Sequence, residues 1–88
     1  MVIVLDGKAM TDRPGVHSYL AEKLDLPTWY GRNLDALYDV LTEIGTDTEL
    51  VLVDPAAAVK NLGKYAEALL SVMQEAAEEN PHLTITLR

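Results

Sequence analysis

Asp35, Asp39 and Glu43 recur every four residues in the segment Trp29-Tyr30-Gly31-Arg32-Asn33-Leu34-Asp35-Ala36-Leu37-Tyr38-Asp39-Val40-Leu41-Thr42-Glu43-Ile44. A helix there would stack three carboxylates along one face. Such a set can hold a cation, act as a general base, or accept ion pairs from a basic partner. Calcium wants six to eight oxygens, and one helix face offers few of them. Paired carboxylates for glycoside chemistry must flank a cleft, and a chain of 88 residues does not easily form a deep one. General-base catalysis from Asp35 or Asp39 lacks a neighbouring histidine, since His17 and His82 stand far off in sequence with no spacing that suggests a triad. Glycines at 7, 15, 31, 45 and 63 form no phosphate-binding loop, and Ser18 and Ser71 lack a nucleophile-elbow context. The sequence therefore reads as non-enzymatic, with no cofactor and no metal.

The acids remain to be explained. Like charges four residues apart destabilise a helix by a few tenths of a kcal/mol per pair. Asp35 falls in the first turn, where the helix dipole favours an anion, but Glu43 falls in the last, where it does not. No base occurs between Arg32 and Lys60, while Asp35, Asp39, Glu43, Asp47, Glu49 and Asp54 are all acidic. A later helix ends on Glu75, Glu78 and Glu79, again at the unfavourable pole. Solvated faces explain some of this. Two helices carrying acids against their local electrostatics point to a cationic partner, and Trp29-Tyr30-Gly31 beside them has a common interface composition, although either ring could equally be core.

The elements that must position these residues follow from pattern. Val2-Ile3-Val4-Leu5 and Leu50-Val51-Leu52-Val53 are continuous apolar runs, as expected of parallel strands covered on both faces. Leu83-Thr84-Ile85-Thr86-Leu87 alternates, which predicts a wetter face and a place at the sheet edge. Thr11 or Asp12 caps a first helix with Val16, Tyr19, Leu20 and Leu24 inward, and Pro27 marks its end. Asn33 caps a second helix running to about Ile44 and stopped by Gly45, with Leu34, Leu37, Tyr38 and Leu41 toward the core. Asp54-Pro55 opens a short third helix. Gly63 breaks it from a fourth that carries Tyr65, Ala66, Leu69, Val72, Met73 and Ala76 inward and closes at Asn80-Pro81. Strands alternating with helices predict right-handed crossovers and a parallel sheet in one α/β domain spanning 1–88.

Composition agrees. The 9.7 kDa chain exposes ~14,000 Å² unfolded and ~5,000 Å² folded by the usual scaling. With 49% hydrophobic residues it builds one core without staples. Fourteen acids against seven bases give a net charge of −7, which argues against nucleic acid and anionic membranes as partners. Zero cysteines exclude a disulfide framework, and the absence of a leader-like start or a long apolar run predicts a cytoplasmic protein.

The stretch Tyr30-Gly31-Arg32-Asn33-Leu34-Asp35-Ala36-Leu37-Tyr38-Asp39-Val40-Leu41-Thr42 resembles the signature segment of the barstar family, intracellular inhibitors of barnase-like ribonucleases. Leu26-Pro27, Ile44, Val72-Met73-Gln74-Glu75-Ala76 and Leu83-Thr84-Ile85-Thr86-Leu87 fall in register with it, so the resemblance spans nearly the whole chain. It implies a three-stranded parallel sheet of order 1-2-3 packed with four helices. It also implies a function: one-to-one occlusion of a small secreted guanyl-specific ribonuclease by the second helix and the loop before it, protecting the producing cell much as an antitoxin would. On the matching positions Asp39 is the anchor in place of a substrate phosphate, Asp35 pairs with an arginine, and Glu75 adds a contact from the fourth helix. Trp29, Tyr30, Gly31, Asn33, Tyr38, Thr42 and Ile44 complete the expected ribonuclease-binding set, and Glu79 matches a peripheral acid. Trp29 stands where a tyrosine is usual, and Ile44 where the best-known member has a tryptophan. Arg32 sets a cation beside the acids, which repels a basic enzyme locally or meets an acid on a different one. These departures imply a partner related to barnase without being identical to it. The alternative reading is a binding module of the same fold for another basic protein or toxin.

Overall fold

A computed structural model describes residues 1–88. In chain order the elements are β1 (Val2–Asp6), a 3-10 turn (Gly7–Ala9), α1 (Arg13–Lys23), α2 (Leu34–Thr42), β2 (Thr48–Val53), α3 (Pro55–Leu62), α4 (Lys64–Glu79) and β3 (Leu83–Leu87). The sheet is wholly parallel in the order β1-β2-β3, with Leu5 beside Leu52 and Leu52 beside Leu87. Both expectations for the sheet, parallel pairing and sequential order, hold. No helix is long and apolar enough to cross a membrane.

Side chains alternate across a strand, and the sheet uses its two faces differently. Leu5, Leu50 and Leu52 point into a core completed by Val16 and Leu20 of α1, Leu37 and Leu41 of α2, and Leu69 and Met73 of α4. On the opposite face Val2 and Val4 are 62% and 49% exposed. The expectation that β1 is covered on both faces is therefore wrong. Its apolar run reflects strand propensity at an edge, and only central β2 is buried nearly throughout. β3 lies at the other edge, with Thr84 exposed, as its alternation predicted.

Caps set the helix boundaries. Asp12, not Thr11, starts α1, its Oδ1 accepting from Gly15 N at 2.6 Å. The helix ends before Pro27. Asp25 takes a left-handed conformation (φ 51°), and Leu26 N donates back to Ala21 O at 2.9 Å, a helix stop usually built with glycine. Asn33 starts α2 by accepting from Ala36 N at 2.8 Å. Asp54 caps α3, and Gly63 (φ 60°, ψ −131°) separates α3 from α4. Gly7 is buried because the chain passes against the backbone of Asp54, whose carbonyl oxygen a Cβ would strike.

α2 stops at Thr42 rather than near Ile44, and a side chain from elsewhere finishes it. Buried Asn80 donates from Nδ2 to Leu41 O and Ile44 O, both at 2.9 Å, and accepts from His82 N at Oδ1. Asn80→Ala removes a hydrogen bond from each of two carbonyls, leaving Leu41 O only the long one from Ile44 N at 3.4 Å, for a loss of about 2–3 kcal/mol in urea denaturation. A loss within experimental error would show that water replaces the amide.

His17 is the second buried polar anchor, 2% exposed. Its Nδ1 lies 2.7 Å from the Tyr30 hydroxyl and its Nε2 2.6 Å from that of Tyr65. Burial, with help from the nearby Arg32 guanidinium, holds its pKa below the ordinary 6.5. Tyr30, buried beside it, is pushed up to about 12, and burial raises Tyr65 as well. The unfolded chain thus takes up a proton on His17 before the folded chain does. Stability from this site is complete above pH 6.5 and falls as pH drops below it. Denaturation of wild type and His17→Gln at pH 8 and pH 5 should show a steeper acid loss in wild type, and equal losses would refute the assignment.

Candidate functional site

The loop between α1 and α2 is held from several directions. Tyr30 turns inward to His17, and its backbone N donates to Pro27 O at 3.0 Å. Arg32 adopts φ 54° and donates from Nη1 to Ser18 Oγ at 2.7 Å, while Asn33 Nδ2 reaches Gly31 O at 3.2 Å. A Cβ on Gly31 would sit 3.1 Å from the Ala36 methyl, so this turn packs tightly on the first turn of α2. These bonds leave Trp29 75% exposed. Aromatic residues are enriched at interfaces relative to the rest of the surface.

Along α2 the acids face solvent. Asp35, Asp39 and Glu43 are exposed, with Leu37 and Leu41 buried behind them. α4 packs alongside and brings Val72 and Glu75 to the same surface, where a shallow hollow of about 340 Å³ is lined by Leu34, Asp35, Tyr38, Asp39, Val72 and Glu75. A second, of about 290 Å³, is bordered by Trp29, Gly31, Ala36, Asp39, Val40 and Glu43 among others. Asp39 belongs to both. The one carboxylate set therefore spans two depressions, with Asp39 on the ridge between them.

The expected residues do not all stand together. Asp35, Tyr38, Asp39 and Glu75 share the first hollow, and Trp29, Tyr30, Gly31 and Asp39 share the second. Asn33 is exposed at the start of α2 and already occupied in capping it. Tyr30 is only 5% exposed and its phenol faces His17, so it positions the loop instead of presenting a polar group outward. Thr42 shares its hydroxyl proton between Tyr38 O and Asp39 O, both at 3.0 Å, which leaves its oxygen able to accept. Ile44 is half-buried against the core beyond the end of α2. The expected set omitted Leu34, Val72 and Glu43, which also line the hollows. Glu43 was signalled by its spacing from Asp39, whereas Val72 reads as core until α4 is seen to pack on α2.

The acidic run from Asp35 to Asp54 also divides. Asp47 pairs with His82 Nδ1 at 2.9 Å, Glu49 accepts from Thr86 at 2.6 Å across the open sheet face, and Asp54 caps α3. Those three serve the fold. Asp35, Asp39, Glu43 and Glu75 have no basic side chain within ion-pair distance, since the contact of Asp47 with the His82 ring is the only one of an acid with a basic side chain in the molecule. They form a fixed surface of acceptors with Tyr38 and Trp29 beside it. Such a surface suits guanidinium and ammonium groups, which donate to carboxylates in charge-assisted hydrogen bonds. Both histidines are engaged elsewhere, one buried between phenols and the other with Asp47.

Residues 1–88 match the family described as Barstar (barnase inhibitor). A protein of Bacillus subtilis (strain 168) named "Putative ribonuclease inhibitor YrdF" is 46% identical over 79 residues, covering 88% of this chain and 86% of the relative. With the order of its sheet, its four helices and a family match from end to end, the chain belongs to the barstar family.

Proposed function

We propose that this protein is a stoichiometric inhibitor of a small secreted guanyl-specific ribonuclease, acting by occlusion and without catalysis. The family and the name of its Bacillus subtilis relative support a ribonuclease-inhibitor role. The observation that carries the finer reading is the unpaired carboxylate set of Asp35, Asp39 and Glu75, centred on Asp39 where two hollows meet. A ribonuclease active site is built to neutralise phosphates with basic side chains. An acidic helix of the right shape meets that field with carboxylates in the same role. Asp39 is the anchor, Asp35 and Glu75 flank it from α2 and α4, and Trp29, Gly31 and Tyr38 provide apolar contact around them. In the producing cell the inhibitor would act in the cytoplasm, silencing enzyme before its export.

The protein keeps the acids in place before any partner arrives. α2 is capped at one end by Asn33 and at the other by Asn80, and its loop is tied to α1. Little ordering is left to be done on binding, which is how a rigid surface gains affinity. The acids also steer a basic enzyme toward the site, so association slows as salt rises.

A titration of a barnase-like guanyl-specific ribonuclease tests the reading. Wild type should give a sharp one-to-one endpoint. Asp39→Ala should weaken inhibition by about 2–5 kcal/mol, the cost of stranding a buried basic partner. Asp47→Ala, on the same charge scale but paired with His82, should leave it nearly unchanged. Equal losses from the two variants would remove Asp39 as the anchor. No inhibition by wild type, with tight binding to a different cationic protein, would favour the wider reading of a basic-protein binding module.

A further inference from the structure

A third hollow, of about 450 Å³, adjoins the acidic surface and carries the opposite sign. Arg13, at the start of α1, and Arg32, in the loop before α2, both line it, with Tyr65 and buried His17 on its wall and no carboxylate among its lining residues. Two of only seven basic residues in a chain of net charge −7 thus converge from different elements. Both are held in place. The Arg13 guanidinium lies 4.5 Å over the centre of the Tyr65 ring, and Arg32 donates to Ser18. Neither has an acidic partner within the molecule. Leu34 lines this hollow and also the acidic one that holds Asp35, Asp39 and Glu75, so it forms the ridge between them. Any protein seated on the acids must come up against the arginines.

Resting on the inhibitor reading above, we propose that the partner ribonuclease presents an acidic side chain to Arg13 and Arg32, so that the interface is acidic on one side of Leu34 and basic on the other. Two guanidiniums on one hollow fit a carboxylate, which accepts several N–H bonds at once. A free anion is the poorer occupant, because a molecule of this net charge repels it from solution. A carboxylate carried on a basic enzyme is delivered by the attraction of that enzyme to Asp35, Asp39 and Glu75. Without such an acid, Arg13 and Arg32 would only oppose the approach of a basic partner.

That opposition gives the test its sign. Inhibition of the same guanyl-specific ribonuclease is compared for wild type, Arg13→Gln/Arg32→Gln, Arg32→Glu and Arg88→Gln. Arg88 is exposed at the end of β3 and serves as a control for charge alone. The double variant should weaken inhibition about tenfold or more, mainly through faster dissociation, and Arg32→Glu should weaken it as well. Arg88→Gln should bind as tightly as wild type or slightly more so. Unchanged folding of each variant is checked by thermal denaturation. If the double variant and Arg32→Glu inhibit as well as Arg88→Gln, or better, the partner has no acid there and the proposal is overturned while the inhibitor reading stands. Failure of wild type to inhibit overturns both.

Discussion

A neutral imidazole has one nitrogen to donate and one to accept, and His17 meets both needs with phenols from opposite sides. Tyr30 belongs to the loop before α2 and Tyr65 to the first turns of α4, so a single buried ring ties three parts of the chain together. Burial keeps the ring neutral and the phenols protonated, which is the combination in which every polar atom is satisfied. The consequences reach the surface. With Tyr30 fixed inward, its neighbours Trp29 and Gly31 are fixed outward, and the loop meets α2 at one angle. The same ring forms part of the wall behind Arg13 and Arg32, so the loop before α2 and the basic hollow share one support.

The acids on α2 make that support necessary. Their mutual repulsion weakens the helix by a few tenths of a kcal/mol per pair, and nine residues are too few for a helix to persist without tertiary contacts. Leu37 and Leu41 supply those contacts, and asparagines close both ends, Asn33 locally and Asn80 from beyond α4. Asn80 also lies where a basic residue would complement the helix dipole. An amide satisfies the open carbonyls there with no positive charge placed near Glu43. The C-terminal cap thereby stabilises α2 while leaving its negative field undiminished.

Much of this was legible in the sequence because local rules decide it. Asp12, Asn33 and Asp54 mark helix starts by side-chain chemistry and Gly63 a break by backbone freedom, and the spacing of Asp35 and Asp39 places them on one exposed face. The unread parts depend on which segments meet. The run at β1 carries the same residue types as β2, and only the sheet order makes one an edge and the other the centre. Asp25 stops α1 in a conformation more often given to glycine, so Pro27 drew the boundary too late. Asn80 looks like a turn residue until α2 is found beneath it, and His17 looks incidental until Tyr65 arrives from 48 positions away. The acidic run from Asp35 to Asp54 is uniform as a string. Folding divides it, because Asp47, Glu49 and Asp54 find hydrogen-bond partners and the α2 acids do not.

That division also bears on specificity. An acidic surface alone attracts many basic proteins, since long-range attraction depends on net charge more than on pattern. Selectivity needs a feature that the wrong partner violates. Arg13 and Arg32, one ridge away from the acids, would provide such a feature in the proposed complex. In the proposed binding mode a uniformly basic protein drawn in by Asp35, Asp39 and Glu75 would meet two cations that no acid of this chain neutralises. Desolvating them without an acid opposite would cost free energy. In the proposed binding mode the surface that would speed encounter and the surface that would screen its outcome are separate and adjacent, the first held by the caps of α2 and the second backed by the buried histidine.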